Sequence, residues 1–269
     1  MLVRIISGVI GIIVLLLVMF LSQELFIGAI SIICAIASYE VMKAYGYTKY
    51  KLLLLTGIIT SLIIPMSVYF ALENYLYLLL LILTVIPIIH MFKNHNEFHT
   101  KDLFSYMAGV IIIPWVFSTL AYIRLTEYGQ FLIWLPLISA WLTDTFAYFG
   151  GRFFGKHKLC PNISPKKTIE GSVTGILGAV LGYIIYGYIL KNTWDINVNF
   201  YAFILTAIIT SSLSQMGDLV ASLIKRETGI KDFGKLMPGH GGVLDRFDSL
   251  IITAPCIFIL LRIINFIYL

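Results

Sequence analysis

Long uninterrupted runs of apolar side chains dominate this 269-residue chain and limit what it can fold into. Several runs reach 17 residues or more, and at about 1.5 Å per helical residue such a run can cross a bilayer core of about 30 Å. Charged residues make up 12% of the chain, whereas soluble domains carry about 25%. These features exclude a soluble two-domain enzyme, a disordered chain and a disulfide scaffold. They predict an all-α, polytopic integral membrane protein.

The breaks between the apolar runs predict nine transmembrane helices. Their approximate ranges are 5–21, 25–42, 52–72, 76–92, 103–123, 131–150, 172–190, 198–224 and 249–268. The first run resembles a signal peptide, with a basic residue ahead of an apolar stretch. No small-x-small cleavage site separates it from the next run, so we interpret it as a membrane helix.

The distribution of basic residues predicts how the chain is oriented. With the N-terminus in the cytoplasm, 16 of the 19 Lys and Arg residues fall in cytoplasmic segments, which follows the positive-inside rule. Two long cytoplasmic loops, 151–171 and 225–248, contain most of the polar residues. We therefore expect a site that faces the cytoplasm from the plasma (inner) membrane. No linker or repeat divides the chain, and we distinguish five N-terminal spans (1–130) from a C-terminal catalytic region (131–269).

Two aspartates lie inside predicted spans at matched depth. Asp144 and Asp218 each precede the inner end of a span by six residues, which places them roughly 9 Å below the cytoplasmic surface. A lone carboxylate there costs about 2.5–3.5 kcal/mol, so it normally faces a polar cavity or an ion. Asp245 and Asp248 follow on one helical face at i, i+3 spacing. The alternative for these acids is helix capping or pairing with the basic residues Lys225, Arg226 and Arg246.

Hard oxygen ligands without a Cys or His cluster favour magnesium, and we expect Asp218 and Asp245 to bind it. A second divalent ion or a monovalent cation such as K⁺ is compatible with the same residues. Two segments could bind phosphate: Ser164–Gly171, which opens a helix with two lysines, and the glycine-rich turn 238–242. Lysines at this depth also contact anionic lipid heads. His240, within the turn, is a general acid, a phosphate ligand or a hydrogen-bonded turn histidine.

The stretch from Ser222 to Asp248 reads SLIKRETGIKDFGKLMPGHGGVLDRFD. It resembles the signature of the phosphatidate cytidylyltransferase (CDP-diacylglycerol synthase) family. The stretches Ser164–Gly171, Asp144–Tyr148 with Gly151 and Arg152, and Gln215–Asp218 are similar to other shared segments of that family. The resemblance covers about residues 139–255. Met237 stands where another large aliphatic residue or Phe is expected, which is a conservative departure.

The resemblance implies that CTP and phosphatidate react to give CDP-diacylglycerol and pyrophosphate, with magnesium as cofactor. On this basis we predict catalytic roles for Asp218, Asp245, Lys167, Arg226 and Arg246, with Asp218 and Asp245 as the metal ligands. We predict substrate-binding roles for Asp144, Ser164, Lys166, Thr168, Glu170, Ser222, Lys225, Lys231, Asp232, His240, Gly241, Gly242 and Asp248.

Partners and rival functions follow from the same patterns. Small residues at four-residue or similar spacing, Gly171, Gly175, Gly178 and Gly182, are typical of close helix packing or dimerisation. We expect a homodimer among membrane lipids and no nucleic-acid partner. Rival interpretations are another CTP-dependent lipid enzyme, such as a polyprenol kinase or CDP-archaeol synthase, and an ion-coupled transporter. A CDP-alcohol phosphatidyltransferase would need a D-G-x-x-A-R run, and the sequence has none.

Overall fold

The computed structural model describes residues 2–239 and 241–268. Its helices are α1 Leu2–Phe20, α2 Gln23–Ala44, α3 Lys51–Tyr69, α4 Glu73–Lys93, α5 Thr100–Met107, α6 Ile113–Leu125, α7 Gly129–Leu132, α8 Trp134–Phe154, α9 Ile169–Trp194, α10 Phe200–Glu227, α11 Leu244–Phe247 and α12 Leu250–Ile263. Short strands form two antiparallel pairs, β1 Lys158–Cys160 with β2 Ser164–Thr168, and β3 Asn197–Val198 with β4 Ile267–Tyr268.

Seven stretches of helix in the described part of the chain are long and apolar enough to cross a membrane. They are Gln23–Ala44, Lys51–Tyr69, Tyr75–Lys93, Thr100–Leu125, Gly129–Phe154, Ile169–Trp194 and Phe200–Glu227. Two shorter apolar helices, Ile6–Phe20 and Leu250–Ile263, occupy the first and last predicted spans. The helical, multi-pass class predicted from the apolar runs is therefore confirmed. The count of nine spans and the cytoplasmic N-terminus stay predictions.

The last predicted span, 249–268, extends too far. The helix ends at Ile263, and Ile267–Tyr268 instead pairs as β4 with Asn197–Val198. The strand pair gives some backbone groups of residues 264–268 hydrogen-bond partners outside the helix, for example the bond from Asn199 N–H to the backbone oxygen of Phe266 at 2.9 Å. Hydropathy could not separate the two outcomes, because it records the apolar character of residues 264–268 and not their backbone conformation.

The chain divides into two compact units. One contains Met1–Thr126 and Glu227–Phe247, and the other contains Glu127–Arg226 and Asp248–Leu269. The sequence-based division at residue 130 stays a prediction. The 227–247 segment, which is predicted from sequence to belong to the catalytic C-terminal region, belongs to the N-terminal unit. Hydrogen bonds to a carboxylate of α2, described below, account for this.

Glycines bring α8 and α9 of the second unit into close contact. A Cβ atom added to Gly175 would lie 2.9 Å from the backbone oxygen of Thr143, and one added to Gly171 would lie 2.7 Å from that of Ala147. Gly178 faces the ring of Phe146 in the same way. The small-residue spacing on α9 thus serves packing within one chain, and the expected homodimer gains no support from it.

Gly175→Leu is expected to destabilise the protein by about 3 kcal/mol, because the nearest obstacle is backbone that cannot rotate away. Gly28→Leu is the matched control, since nothing lies within 4 Å of a Cβ placed at this glycine of α2. We expect the control to be neutral or slightly stabilising, because Leu favours a helix more than Gly does. Thermal unfolding of both variants in detergent measures the difference. Equal melting temperatures would contradict the packing argument.

Candidate functional site

A cavity of about 570 Å³ opens in the second unit between α8, the β1–β2 hairpin, the start of α9 and α10. Four predicted site residues with charged side chains and one threonine line it: Asp144, Lys166, Lys167, Asp218 and Thr168. The other lining residues are Ala147, Tyr148, Gly151, Arg152, Leu159, Gly171, Ser172 and Gln215. Acidic and basic groups therefore share one cavity, and the roles predicted for them stay predictions.

One face of α8 supplies three of these side chains. Asp144, Tyr148 and Arg152 recur every four residues, so they stack along one side of the helix. The guanidinium Nη1 of Arg152 donates a hydrogen bond to the Tyr148 hydroxyl at 3.2 Å. The result is a row with a carboxylate at one end and a cation at the other.

Lys167 and Asp218 form an ion pair at the cavity wall. Both side chains are about one quarter exposed, so the pair is only partly screened by solvent. Lys167 Nζ also approaches the backbone oxygen of Gln215 at 3.5 Å, and Gln215 in turn donates to the backbone oxygen of Ser172 at 3.3 Å. These contacts fix the lysine between β2 and α10. The ammonium group therefore lies where it can meet an incoming anion.

Two further carboxylates are connected through Ser249. The Ser249 hydroxyl lies 3.2 Å from Asp144 Oδ2 and 3.4 Å from Asp248 Oδ1, and its backbone N–H donates to Asp248 Oδ1 at 2.8 Å. Burial, then the negative charge of Asp218, and also that of Asp144, raise the pKa of Asp248 to about 7, while Lys225 opposes the shift. The negative charges of Asp218 and Asp144 thus act on Asp248, and a cation bound among the three acids would be stabilised.

The donor set of this cluster fits magnesium. Asp144, Asp218 and Asp248 offer hard carboxylate oxygens, the ligand type that magnesium prefers. Among the described residues, no three His, Cys, Asp or Glu side chains form a ready-made metal cage. Magnesium commonly binds through one or two carboxylates and completes its shell with water and substrate phosphates. The cluster is compatible with that mode.

Residues of the β1–β2 hairpin and the residues beside it fix the N-terminal end of α9. Thr168 caps the helix, since its hydroxyl accepts the N–H of Gly171 at 3.1 Å. Glu170 accepts the backbone N–H groups of Lys156 and His157 at 3.1 and 3.2 Å, and contacts His157 Nδ1 at 2.6 Å. Ser164 begins β2. Thr168 and Glu170, predicted to bind substrate, thus have identifiable structural roles.

The segment 227–247 surrounds a second cavity, of about 470 Å³, in the first unit. The predicted residues Lys231, Asp232, Gly241 and Arg246 line it. Unpredicted lining residues are Gly234, Lys235, Met237, Pro238 and Gly239. Gly239 and Gly241 have φ of 80° and 87°, a conformation that glycine adopts without strain. Three basic side chains against one acid give this cavity a net positive lining.

Two carboxylates accept hydrogen bonds from three consecutive backbone N–H groups, those of the last residue of the glycine-rich turn and of the two residues that follow it. Asp245 Oδ2 accepts the N–H of Gly242 at 2.9 Å and that of Phe233 at 2.8 Å. Glu40, a buried residue of α2, accepts the N–H groups of Val243 at 3.0 Å and Leu244 at 2.8 Å. The backbone donors at 242–244 are therefore already bonded. Any phosphate at this turn would depend on side chains and on the remaining N–H groups.

The other predicted residues lie near the C-terminal end of α10 or outside the residues that the structure describes. Ser222 follows Asp218 by one helical turn and is half-buried, as is Lys225, whereas Arg226 is exposed in the last turn. His240 lies outside the described residues. Asp218 and Asp245 belong to different units, so their predicted pairing at one metal stays a prediction.

Glu40, Ser249 and Gln215 are not predicted from sequence to belong to the site, although each makes hydrogen bonds that position its residues. Glu40 carried a usable signal, because a carboxylate within an apolar span needs a partner. Tyr148 and Arg152 could have been found from their i+4 and i+8 spacing to Asp144. Ser249 had no such signal, since a lone serine beside an aspartate is common at helix starts.

Comparison with known proteins gives concordant matches. The cytidylyltransferase family matches residues 2–264 of this chain. A phosphatidate cytidylyltransferase of Rickettsia felis is 44% identical over 156 residues, covering 56% of this chain and 68% of the relative. One from Staphylococcus haemolyticus is 41% identical over 166 residues, covering 60% and 62%, and one from Rickettsia conorii is 38% identical over 189 residues, covering 69% and 80%.

Proposed function

Because this chain belongs to the cytidylyltransferase family, we propose that it transfers the cytidylyl group of CTP to phosphatidate and forms CDP-diacylglycerol and pyrophosphate. The observation that carries the proposal is the cavity of the second unit, where Asp144 and Asp218 face Lys166, Lys167 and Arg152. A triphosphate with its metal needs acids for the metal and bases for the phosphates within one space. The names of the relatives supply the two substrates.

The reaction needs positioning more than proton transfer. A phosphate monoester has a second pKa of about 6, so phosphatidate carries a nucleophilic oxygen at neutral pH without a general base. That oxygen attacks the α-phosphorus of CTP, a new P–O bond forms, and the bond to the β-phosphate breaks as pyrophosphate leaves. Both reactants are anionic, so the chain must hold them together and compensate their charge.

Basic side chains of the cavity perform that compensation. Lys167 lies at the wall beside Asp218, and Lys166 and Arg152 line the same space. Arg152 can bind a phosphate with two parallel N–H donors, whereas the lysines act as point charges. We assign Lys167 to the α- and β-phosphates because it is the least exposed of the three residues.

Asp218, supported by Asp144 and Asp248, would hold magnesium. When bound, the ion withdraws charge from the phosphate oxygens and so favours attack at phosphorus. Asp248 keeps one oxygen bonded to Ser249, which orients its other oxygen. Asp245 is retained as a ligand from sequence, although two backbone N–H groups already bond its Oδ2.

We place the site at the cytoplasmic face of the bacterial inner (plasma) membrane. The support is the basic-residue bias, 16 of 19 on one side, and the bacterial relatives. Single cysteines that replace Lys158 of β1 and Asn192 near the end of α9, both exposed, test this in right-side-out vesicles, in a variant whose Cys34, Cys160 and Cys256 are replaced by serine. We expect an impermeant maleimide to label position 192 and to label 158 only after the membrane is opened. The reverse pattern would invert the orientation.

The deciding experiment uses detergent-purified protein, phosphatidate, magnesium and CTP labelled at the α- or the γ-phosphate. We expect α-label in a chloroform-soluble product together with released pyrophosphate. Transfer of γ-label to lipid would instead show a lipid kinase. If neither label moves in folded protein, phosphatidate is the wrong acceptor, and ether-lipid or polyprenyl phosphates become the candidates.

Lys167→Met is expected to lower kcat/KM for CTP roughly 10- to 100-fold, because a charge-assisted hydrogen bond to phosphate contributes about 1.5–3 kcal/mol. Lys191→Met is the matched control, an exposed lysine at the far end of α9. Steady-state kinetics with varied CTP measure both variants. Equal kcat/KM values would remove Lys167 from the nucleotide site.

A further inference from the structure

Helix α10 and the segment that leads into α12 approach each other closely at a buried glycine of the second unit. A Cβ atom added to Gly217 would lie 2.8 Å from the backbone oxygen of Asp248, 3.5 Å from that of Ser249 and 3.6 Å from the Ser249 Cα. The nearest obstacle is backbone, which cannot rotate away as the end of a side chain can. Any larger residue at position 217 would therefore move α10 and the 248–249 backbone apart.

This close approach lies directly beside the acidic cluster. Gly217 immediately precedes Asp218, and the backbone that it faces belongs to Asp248. The Asp248 carboxylate is itself fixed, because its Oδ1 accepts the N–H of Ser249 at 2.8 Å, and the Ser249 hydroxyl lies 3.2 Å from Asp144 Oδ2. The separation of Asp218 from the other two acids therefore depends on how closely two backbones approach at one position.

A buried hydroxyl on the same side of α10 independently points to a ligand here. Ser214 precedes Gly217 by three residues and Asp218 by four, so all three lie on one side of the helix. Ser214 is fully buried, and its Oγ has no hydrogen-bond partner in the part of the chain that the structure describes. Buried hydroxyls are normally paired with protein or water. A hydrated cation at the neighbouring acids would supply a partner through one of its waters.

We propose that Gly217 is a positioning residue whose close approach to residues 248–249 sets the separation of Asp218 and Asp248 and so makes the cluster select a small divalent cation. The inference rests on the proposed function and deepens it by naming what fixes the metal selectivity of its site. Magnesium binds oxygen ligands at about 2.0–2.1 Å with little tolerance, whereas calcium accepts about 2.3–2.6 Å and more ligands. Acids held close together favour the smaller ion, and acids moved apart by a methyl group favour the larger one.

Metal binding without turnover tests this. Detergent-purified wild-type protein and Gly217→Ala are titrated with Mn²⁺, whose free ion is followed by electron paramagnetic resonance, and Mg²⁺ and Ca²⁺ then compete for the site. Disturbing groups that orient metal ligands commonly weakens binding about 10- to 100-fold. We expect Gly217→Ala to weaken Mg²⁺ binding about tenfold and Ca²⁺ binding much less. Asp218→Asn identifies the Mn²⁺ bound at the cluster, because that ion no longer binds.

Gly187→Ala is the matched control. Gly187 is a buried glycine of α9 in the same unit, and a Cβ added there would lie 2.9 Å from the ring of Phe200. It follows Gly171, a residue of the cavity lining, by 16 residues, or about 24 Å of helix. We expect the control to keep the wild-type ratio of Mg²⁺ to Ca²⁺ affinity. A ratio that falls equally in both variants, or in neither, would overturn the inference.

A second measurement decides the matter if Gly217→Ala does not fold. The rise in unfolding temperature of the wild-type protein is compared at equal concentrations of Mg²⁺ and Ca²⁺, since a bound ion stabilises the folded state. We expect the larger rise with Mg²⁺, and an equal or larger rise with Ca²⁺ would overturn the inference. Mg²⁺ selectivity that depends on Gly217 in a protein that transfers no cytidylyl group would retain the inference and refute the proposed function. Transfer with metal affinities unchanged by Gly217→Ala would do the opposite.

Discussion

Asp218→Asn is expected to reduce cytidylyl transfer about a thousandfold or more, while the protein still inserts and folds. The substitution keeps the shape of the side chain and removes the negative charge that pairs with Lys167. It also removes the carboxylate that we assign to magnesium. Removing a single preorganised group that stabilises charge in a transition state commonly costs about 10²–10³-fold in kcat, and this substitution removes both a charge and a metal ligand. Turnover is measured with α-labelled CTP across a magnesium titration.

Asp195→Asn is the matched control for this experiment. Asp195 is exposed at the end of α9 with φ of 54°, a conformation that Asn adopts as readily. We expect wild-type turnover and unfolding temperature in the control, and a wild-type unfolding temperature with lost turnover in Asp218→Asn. Substantial activity of Asp218→Asn at any magnesium concentration would refute the assignment of Asp218. Asp245→Asn is a poorer test, because it also disturbs the N–H bonds of Phe233 and Gly242.

Glu40→Ala is expected to destabilise the first unit by about 3 kcal/mol and to lower turnover by about two orders of magnitude. Glu40 is 4% exposed, and its carboxylate accepts two backbone N–H groups, from Val243 and Leu244. Truncation leaves both donors buried and unsatisfied, at about 1–3 kcal/mol each. The 227–247 segment loses its attachment to α2, so cleavage by a protease within 229–239 should accelerate. Unfolding, proteolysis and turnover are measured on the same preparation.

Two further variants serve as controls for Glu40→Ala: Glu97→Ala removes a surface carboxylate, and Glu40→Gln replaces the buried one conservatively. Glu97 pairs with Lys49 on the surface, where its side chain is 68% exposed, so its removal should change stability by less than about 1 kcal/mol. Glu40→Gln keeps one acceptor oxygen and should retain part of the stability and turnover. If Glu40→Ala has the unfolding temperature of wild type and its 227–247 segment resists the protease equally well, the hydrogen bonds to Glu40 do not stabilise the segment. If Gln rescues stability but not turnover, the charge itself positions the segment.

The carboxylates show how far sequence reasoning could reach at the site. Intramembrane Asp144 and Asp218 were identified because charge in an apolar span is costly, and the structure places both at one cavity. The glycine-rich turn is predicted to let its backbone approach a pyrophosphate closely, and this stays a prediction. In the structure the N–H of Gly242 donates to Asp245 Oδ2. Sequence spacing cannot reveal that an acid three residues later, or one in a distant helix, has satisfied those donors.

The sequence by itself determined the membrane setting, the helical class and the family signature. These depend on properties that are local or that add up along the chain. They are the length of each apolar run relative to the bilayer thickness, the position of charged residues relative to those runs, and the residue identities within one stretch. Tertiary structure alone decided that Glu40 anchors 227–247, that Ser249 joins Asp144 to Asp248, and that glycines of α9 pack against α8. Each of these is a contact between residues distant in the chain. Such contacts depend on helix packing angles and on hydrogen-bond geometry, which no one-dimensional periodicity encodes.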